Sequence, residues 1–203
     1  MMLRLRLGCL LAAALSLPLP VLADPPTAKP PPAERDAADL PGPACRPAHR
    51  ALIEDARRLA LSRLEEAIRL VREEPDHPHL RRWFGDGSRR AVRLTLELTA
   101  ERLAAPEGFE IHCNDPQSCQ GSRFAYAQPG ALVIGLCPSY FRARTEGTDS
   151  RWGILIHEAS HLAANTRDHA YRPEGALALA KAEGMRAVEN ADSYEYFVET
   201  LPR

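Results

Sequence analysis

The five residues His157-Glu158-Ala159-Ser160-His161 follow directly on the apolar run Gly153-Ile154-Leu155-Ile156, and nothing else in the chain restricts the local backbone as much. On a helix, residues four apart share a face, so His157 and His161 can turn two imidazole nitrogens towards one metal ion with Glu158 alongside. Two histidines beside a carboxylate are equipment for metal-assisted hydrolysis. The plainer alternative is an amphipathic helix whose histidines are polar surface or satisfied core groups. A third ligand separates the two readings, because catalytic zinc takes three protein donors and keeps a fourth position for water.

The extended pattern HExxHxxGxxH fails here, since its glycine and final histidine positions hold Ala164 and Arg167. The sequence instead ends the helix near Asn165 and brings Asp168 and Tyr171 into the next turn, so an aspartate seven residues after His161 can swing back to the metal. His169, next to Asp168, reads as a surface residue.

Three ordered blocks carry a resemblance: His157-Glu158-x-x-His161, then Thr166-Arg167-Asp168-His169-Ala170-Tyr171, then Asn190-Ala191-Asp192-Ser193-Tyr194-Glu195-Tyr196-Phe197. Together they resemble the aspzincins, the family of deuterolysins and peptidyl-Lys metalloendopeptidases, over roughly residues 45–197. Gly147-Thr148-Asp149-Ser150 is similar to the lysine-specific branch. The resemblance implies a helix-dominated, zincin-like α+β domain and one zinc ion held by His157, His161 and Asp168. It further implies Glu158 as general base and Tyr171 near the scissile carbonyl oxygen. Where the family carries glycine before its Thr-x-Asp block and after its tyrosine, this chain has Asn165 and Arg172, and its loop from histidine to aspartate is shorter. Asn165 tolerates a left-handed backbone and can stop the helix. Nothing in the sequence accounts for Arg172.

Two competing functions stay open on the residues. In a thermolysin-like arrangement the third ligand is a glutamate from a later helix, for which Glu189, Glu195 and Glu199 are the candidates. The other is a secreted zinc- or protein-binding module without activity, against which the intact Glu158 argues.

The amino-terminal segment points to export. Residues 1–23 combine Arg4 and Arg6, an apolar stretch from Leu7 to Leu17 and Val21-Leu22-Ala23 before Asp24, which is the layout of a cleavable signal peptide. Its apolar core is too short for a membrane span, so no stable insertion is expected after cleavage. Residues 24–44 are rich in Pro and Ala and read as an extended tether, leaving residues 45–203 as one domain. With 26 basic against 27 acidic side chains, and both leader arginines discarded, the mature chain is mildly acidic. It shows no nucleic-acid footprint. A monomer acting on proteins or peptides, secreted or periplasmic, is the expectation.

Cysteine usage agrees. Cys9 falls in the leader, and Cys45, Cys113, Cys119 and Cys137 remain, an even number suited to two disulfides in an oxidising compartment. Three connectivities are possible. Resemblance to the lysine-specific enzymes favours Cys45 with Cys113 and Cys119 with Cys137. A zinc-binding cysteine cluster is disfavoured because no CxxC spacing occurs.

Around the motif, apolar residues at helical spacing (Ile53, Ala56, Ala60, Leu64, Ala67, Val71) predict a long helix over 47–74, stopped by Pro75 and Pro78. Ser88 can cap a second helix running to Pro106, with Trp83 and Phe84 between the two as core residues. Residues 109–113, 123–127 and 131–137 are short β-rich runs, the last two joined by Gln128-Pro129-Gly130 as a hairpin turn. A small sheet therefore precedes the HExxH helix. Asp149 or Ser150 can cap that helix, and helices are expected over 174–182 and 185–201. The resemblance makes the 123–137 hairpin the candidate edge that pairs with a substrate backbone.

The last expectation concerns specificity. Asp192 and Glu195 lie three apart in a predicted helix, so their carboxylates can face one side. In the lysine-specific aspzincins, matching acidic positions receive the lysine ammonium just after the scissile bond. The alternative is a solvated acidic helix face.

Overall fold

The computed structural model describes residues 44–105 and 107–202, so the signal peptide expected over 1–23 and all but Ala44 of the 24–44 tether lie outside them. The first helix, α1 (Pro47–Glu73), opens on a proline, which fits the first turn because its missing N–H has no intrahelical partner there. All six residues of the predicted stripe are buried. Pro78, expected to act only as a stop, begins a short second helix, α2 (Pro78–Phe84), whose Leu80, Trp83 and Phe84 are buried. Helix α3 (Arg89–Ala104) is capped by Ser88, whose Oγ accepts from the Ala91 amide at 3.3 Å.

Three strands follow: β1 (Glu110–Cys113), β2 (Ala125–Gln128) and β3 (Val133–Leu136). Their order is β1-β3-β2, with β1 parallel and β2 antiparallel to the central strand, so β2 is a free edge. The expected hairpin turn is a 3₁₀ turn, Pro129–Ala131, closed by Leu132 in the left-handed region at φ 53°. Glycine is required at 135, opposite Tyr126 in the ladder, because a Cβ there would lie 2.0 Å from the tyrosine ring.

The disulfides are Cys45–Cys113 and Cys119–Cys137. One staples the approach to α1 onto the sheet, and the other ties the loop before β2 to the end of β3. By restricting the unfolded chain, each contributes on the order of 2–4 kcal/mol. A short helix, α4 (Pro138–Arg142), which the sequence did not signal, buries Tyr140.

Helix α5 (Arg151–Ala164) carries the HExxH residues and runs through the middle of the domain against α1, α3 and β2. Ten of its 14 residues are buried, so it is enclosed on nearly every side. Each of Ile154, Leu155, Ile156 and Leu162 contributes roughly 1.5–3 kcal/mol by burial. Beyond it come α6 (Arg172–Ala182), α7 (Gly184–Val188) and α8 (Ala191–Glu199), the last packed directly on α5. The single helix expected over 185–201 is thus corrected to two. Asn190 interrupts it with an extended backbone at φ −95°, ψ 121°. Among the described residues no helix is long and apolar enough to cross a membrane.

Candidate metal centre and substrate cleft

The position of α5 is fixed at its first turn. Ser150 accepts from the Gly153 amide at 3.0 Å and donates its hydroxyl to Glu199 at 2.7 Å. Glu199, at the end of α8, also accepts from the amides of Ser150 at 2.8 Å and Asp149 at 3.2 Å. A Cβ at position 153 would come within 2.1 Å of that carboxylate, which is why the helix has glycine there. Burial, and then the nearby charge of Glu195, push the Glu199 carboxyl up to about 8.

One turn further along, His157 and His161 face each other with their Nε2 atoms 3.2 Å apart. Asp168 closes the triangle, its Oδ1 standing 3.2 Å from His157 Nε2 and 3.3 Å from His161 Nε2. Donors on tetrahedral zinc, at bonds of about 2.0–2.1 Å, lie roughly 3.3 Å from one another, so the three atoms fit one zinc ion. The tautomer of His161 agrees. His161 Nδ1 lies 2.8 Å from the Thr166 carbonyl, to which it donates, leaving its Nε2 lone pair for the metal. His157 Nδ1 lies 2.8 Å from Asp192 and 3.2 Å from Glu195, ion-pair contacts without hydrogen-bond alignment, and Nε2 again faces inward.

These charges dominate the ionisation of the site. Burial alone would lower both imidazoles, but the carboxylates around them, Asp168 foremost, hold both raised. For Asp168 burial works against the charge, yet the two histidines outweigh it and hold its carboxyl well below the usual range. Glu158 is buried beside them, and that burial raises its carboxyl despite the neighbouring imidazoles.

The loop that delivers Asp168 is held from α8. Asn165 ends α5 in the left-handed conformation at φ 54°, as a helix-stopping asparagine can. The backbone of Arg167 pairs with that of Glu189 and Ala191 at 2.7 and 2.9 Å. The buried Asn190 side chain accepts from the amides of His169 and Ala170 at 2.9 and 3.0 Å. Asp192 accepts the Arg172 amide at 2.6 Å. Arg172 adopts φ 64°, the left-handed region that favours glycine: its amide turns back to Asp192, and a side chain tolerates that turn only with strain. The loop-holding role of Asn190 was not read from the sequence. The only signal was its place at the head of the third block.

The other expected residues fall as follows. Asp192 and Glu195 are both buried and line the same cleft as the histidines, which excludes a solvated helix face. Both Asp192 oxygens are engaged, whereas Glu195 Oε1 is buried without a hydrogen-bonding partner among the described residues. Burial pushes Glu195 up to about 7. Tyr171 is 63 % exposed at the mouth, and burial together with the Asp168 charge raises its hydroxyl. His169 is half-buried rather than on the surface, its ring nitrogens 3.5 Å from Glu189 and 3.3 Å from Arg186. Of the glutamates considered as alternative ligands, Glu189 is engaged there, Glu199 holds the start of α5, and Glu195 sits on the Nδ1 side of His157. The cleft has a volume of about 1450 Å³ and runs between these groups and the segment from Ser122 to Ala127, which includes most of β2.

A helix-borne histidine pair closed by a loop carboxylate, under a free edge strand, is the arrangement of zinc peptidases. The structure of a zinc peptidase from Grifola frondosa superposes on 76% of this chain and 96% of its own, with a TM-score of 0.65 and 29% identity. Within that class the chain belongs to the aspzincin M35 family, described as lysine-specific metallo-endopeptidase, whose sequence profile matches residues 70–199. Membership brings a zinc cofactor with it. The chain is 37% identical over 124 residues to a peptidyl-Lys metalloendopeptidase of Armillaria mellea, covering 59% of this chain and 34% of that protein. It is 40% identical over 97 residues to one of Pleurotus ostreatus, covering 46% of this chain and 55% of that protein. An extracellular protease of Aeromonas hydrophila is 33% identical over 138 residues, covering 66% of this chain and 39% of that protein. The chain therefore spans between about a third and just over half of the length of these relatives.

Proposed function

We propose that the protein is an exported zinc endopeptidase that cleaves peptide bonds on the amino side of lysine. The observation that carries this reading is the triangle of His157 Nε2, His161 Nε2 and Asp168 Oδ1, with sides of 3.2, 3.2 and 3.3 Å, beside a buried Glu158. These three residues would hold the metal. Zinc, when bound, supplies Lewis acidity to a water molecule and to the substrate carbonyl. Glu158 takes the water's proton and returns it to the departing amine, a task suited to a carboxyl raised by burial. Tyr171, at the mouth, donates a hydrogen bond to the oxyanion as it develops. The free edge of β2 aligns the substrate backbone.

Lysine selectivity rests on Glu195. Its buried, unpartnered Oε1 is unfavourable until a cation reaches it, and a compact ammonium fits a small acidic cavity better than a planar guanidinium does. Asp192 orients His157 and anchors the metal loop while adding negative charge. Two disulfides and the leader-like 1–23 segment support export.

Glu158→Gln tests the mechanism. Peptide hydrolysis should fall by about 10²–10⁴-fold while metal analysis still finds one zinc per chain; wild-type rates in this variant would remove Glu158 as the base. Mass spectrometry of a digested proteome tests the substrate class, with cuts predicted before lysine and a weakened preference in Glu195→Gln. Cuts indifferent to the following residue would exclude the lysine pocket.

A further inference from the structure

The main cleft does not end at Glu195. A second cavity of about 450 Å³ shares Ser122, Phe124 and Asp149 with it, so the two are continuous. Asp149 is the hinge between them. It accepts a hydrogen bond from Tyr196 at 2.9 Å, and Tyr196 lines the main cleft with Glu195. From the metal donors, the cleft therefore leads past Glu195 and Tyr196 to Asp149, and then into the second cavity. The Ser122 and Phe124 shared by both lie just before β2, at one end of the free edge.

The balance of charge shifts along this path. The main cleft mixes carboxylates, among them Asp192, Glu195 and Asp149, with Arg123, Arg167 and Arg172, whereas the second cavity sets Arg142 and Arg144 against Asp149. Both arginines are exposed, and among the described residues neither guanidinium has a hydrogen-bonding or ion-pairing partner. The one acidic group facing them, Asp149, already holds the Tyr196 hydroxyl. The wall that carries them is firmly fixed: Tyr140 is fully buried, Phe141 stacks on His49 at 3.9 Å, and Arg151 donates its backbone amide to the Arg144 carbonyl at 2.8 Å and its guanidinium to the Ala143 carbonyl. Phe124, 37 % exposed, gives the cavity an apolar side.

We propose that this cavity is a cationic subsite in which Arg142 and Arg144 receive a substrate carboxylate downstream of the lysine. The carboxylate comes from an Asp or Glu side chain or from the free carboxyl end of a short peptide. The inference rests on the lysine-pocket reading for its direction along the cleft. An extended substrate advances about 3.3 Å per residue, so the subsite serves the first few residues after the lysine. A guanidinium pair suits the task because each can grip a carboxylate with two parallel N–H donors.

The test uses the zinc-loaded enzyme and quenched peptides that share one lysine site and differ in the two residues after it, as Ala-Ala, Asp-Asp or the neutral isostere Asn-Asn, each with a carboxylate or an amide terminus. For the wild type, kcat/KM for the Asp-Asp peptide should exceed that for Asn-Asn by about tenfold at low salt and by less at high salt. The ratio should fall to near one in Arg142→Ala/Arg144→Ala and invert in Arg142→Glu/Arg144→Glu. If preference follows the terminal carboxylate on the Ala-Ala peptide, the ligand is the chain end; if it follows Asp-Asp in the amide series, the ligand is the side chain. Equal rates in the wild type, or a preference untouched by both double variants, would overturn the subsite. Loss of the lysine requirement with the acidic preference intact would instead overturn the lysine pocket and leave the subsite standing.

Discussion

Helix α5 and the loop from Asn165 to Arg172 both carry proposed metal donors, yet they are held in opposite ways. In the helix, regular hydrogen bonding sets the spacing of His157 and His161, and burial of ten residues sets its place. The loop has no repeating backbone and bends through left-handed residues at both ends, φ 54° and 64°. Its amides are gathered by Asn190 and Asp192, some twenty residues later in the chain. The spacing of the two histidines is thus internal to the helix, with Glu199 of α8 only fixing where the helix starts, while the loop is borrowed geometry: α8 decides where Asp168 stands. Asp192 joins the two regions, since one oxygen faces His157 and the other holds the Arg172 amide.

Substitutions should reveal this asymmetry. The largest effect is expected for Asp168→Ala, which removes a donor outright and should weaken zinc binding by more than the 10–100-fold typical of losing a supporting hydrogen bond, as measured by competition with a chelator. Glu195→Ala, which touches only the rear of His157, should weaken it far less. The reverse order would favour a glutamate as third ligand.

On the helix side, Gly153→Ala should destabilise the fold by about 1–3 kcal/mol in denaturant titration, because the new methyl displaces Glu199 from the start of α5. An unchanged midpoint would mean that Glu199 does not anchor the helix.

A smaller effect concerns pH. The Glu199 carboxyl is raised to about 8 from an ordinary 4.5, so its neutral form is favoured by folding: the associated stability is present below pH 4.5 and is lost as pH rises through about 8. Glu199→Gln mimics the neutral form, so its melting temperature should improve relative to wild type between pH 5 and 9. A difference independent of pH would show that the carboxyl ionises freely. The smallest change is expected for Arg172→Gly, where relief of left-handed strain and added chain entropy nearly offset, leaving stability within about 1 kcal/mol and zinc binding intact. Arg172→Val, with a branched side chain at the same φ, should lose both.

What was legible in the sequence follows the same division. The HExxH helix, its Ser150 cap and its Asn165 stop are written in residues close to one another, and all three stand where the pattern puts them. The stripe of α1 and the three strands are likewise local patterns. The break at Asn190 was not legible, because apolar residues continue through it and the reason for the break is a bond to a distant loop. Arg172 has the same origin. Its conformation makes sense only once Asp192 is beside it. Helices α2 and α4, with seven and five residues, are too short for periodicity to betray them. For Asp192 and Glu195 the sequence indicated a common face but not that it abuts His157, a contact made only by packing α8 on α5.

The dependence of the loop on α8 is tested most directly by a double-mutant cycle in zinc affinity between Asp168→Ala and Asn190→Ala. Asn190 touches no metal donor and is held to act by fixing the amides of His169 and Ala170, so its loss alone should weaken zinc about 10–100-fold. In the Asp168→Ala background the same substitution should do almost nothing further. Additive losses, with Asn190→Ala as harmful without Asp168 as with it, would contradict the account.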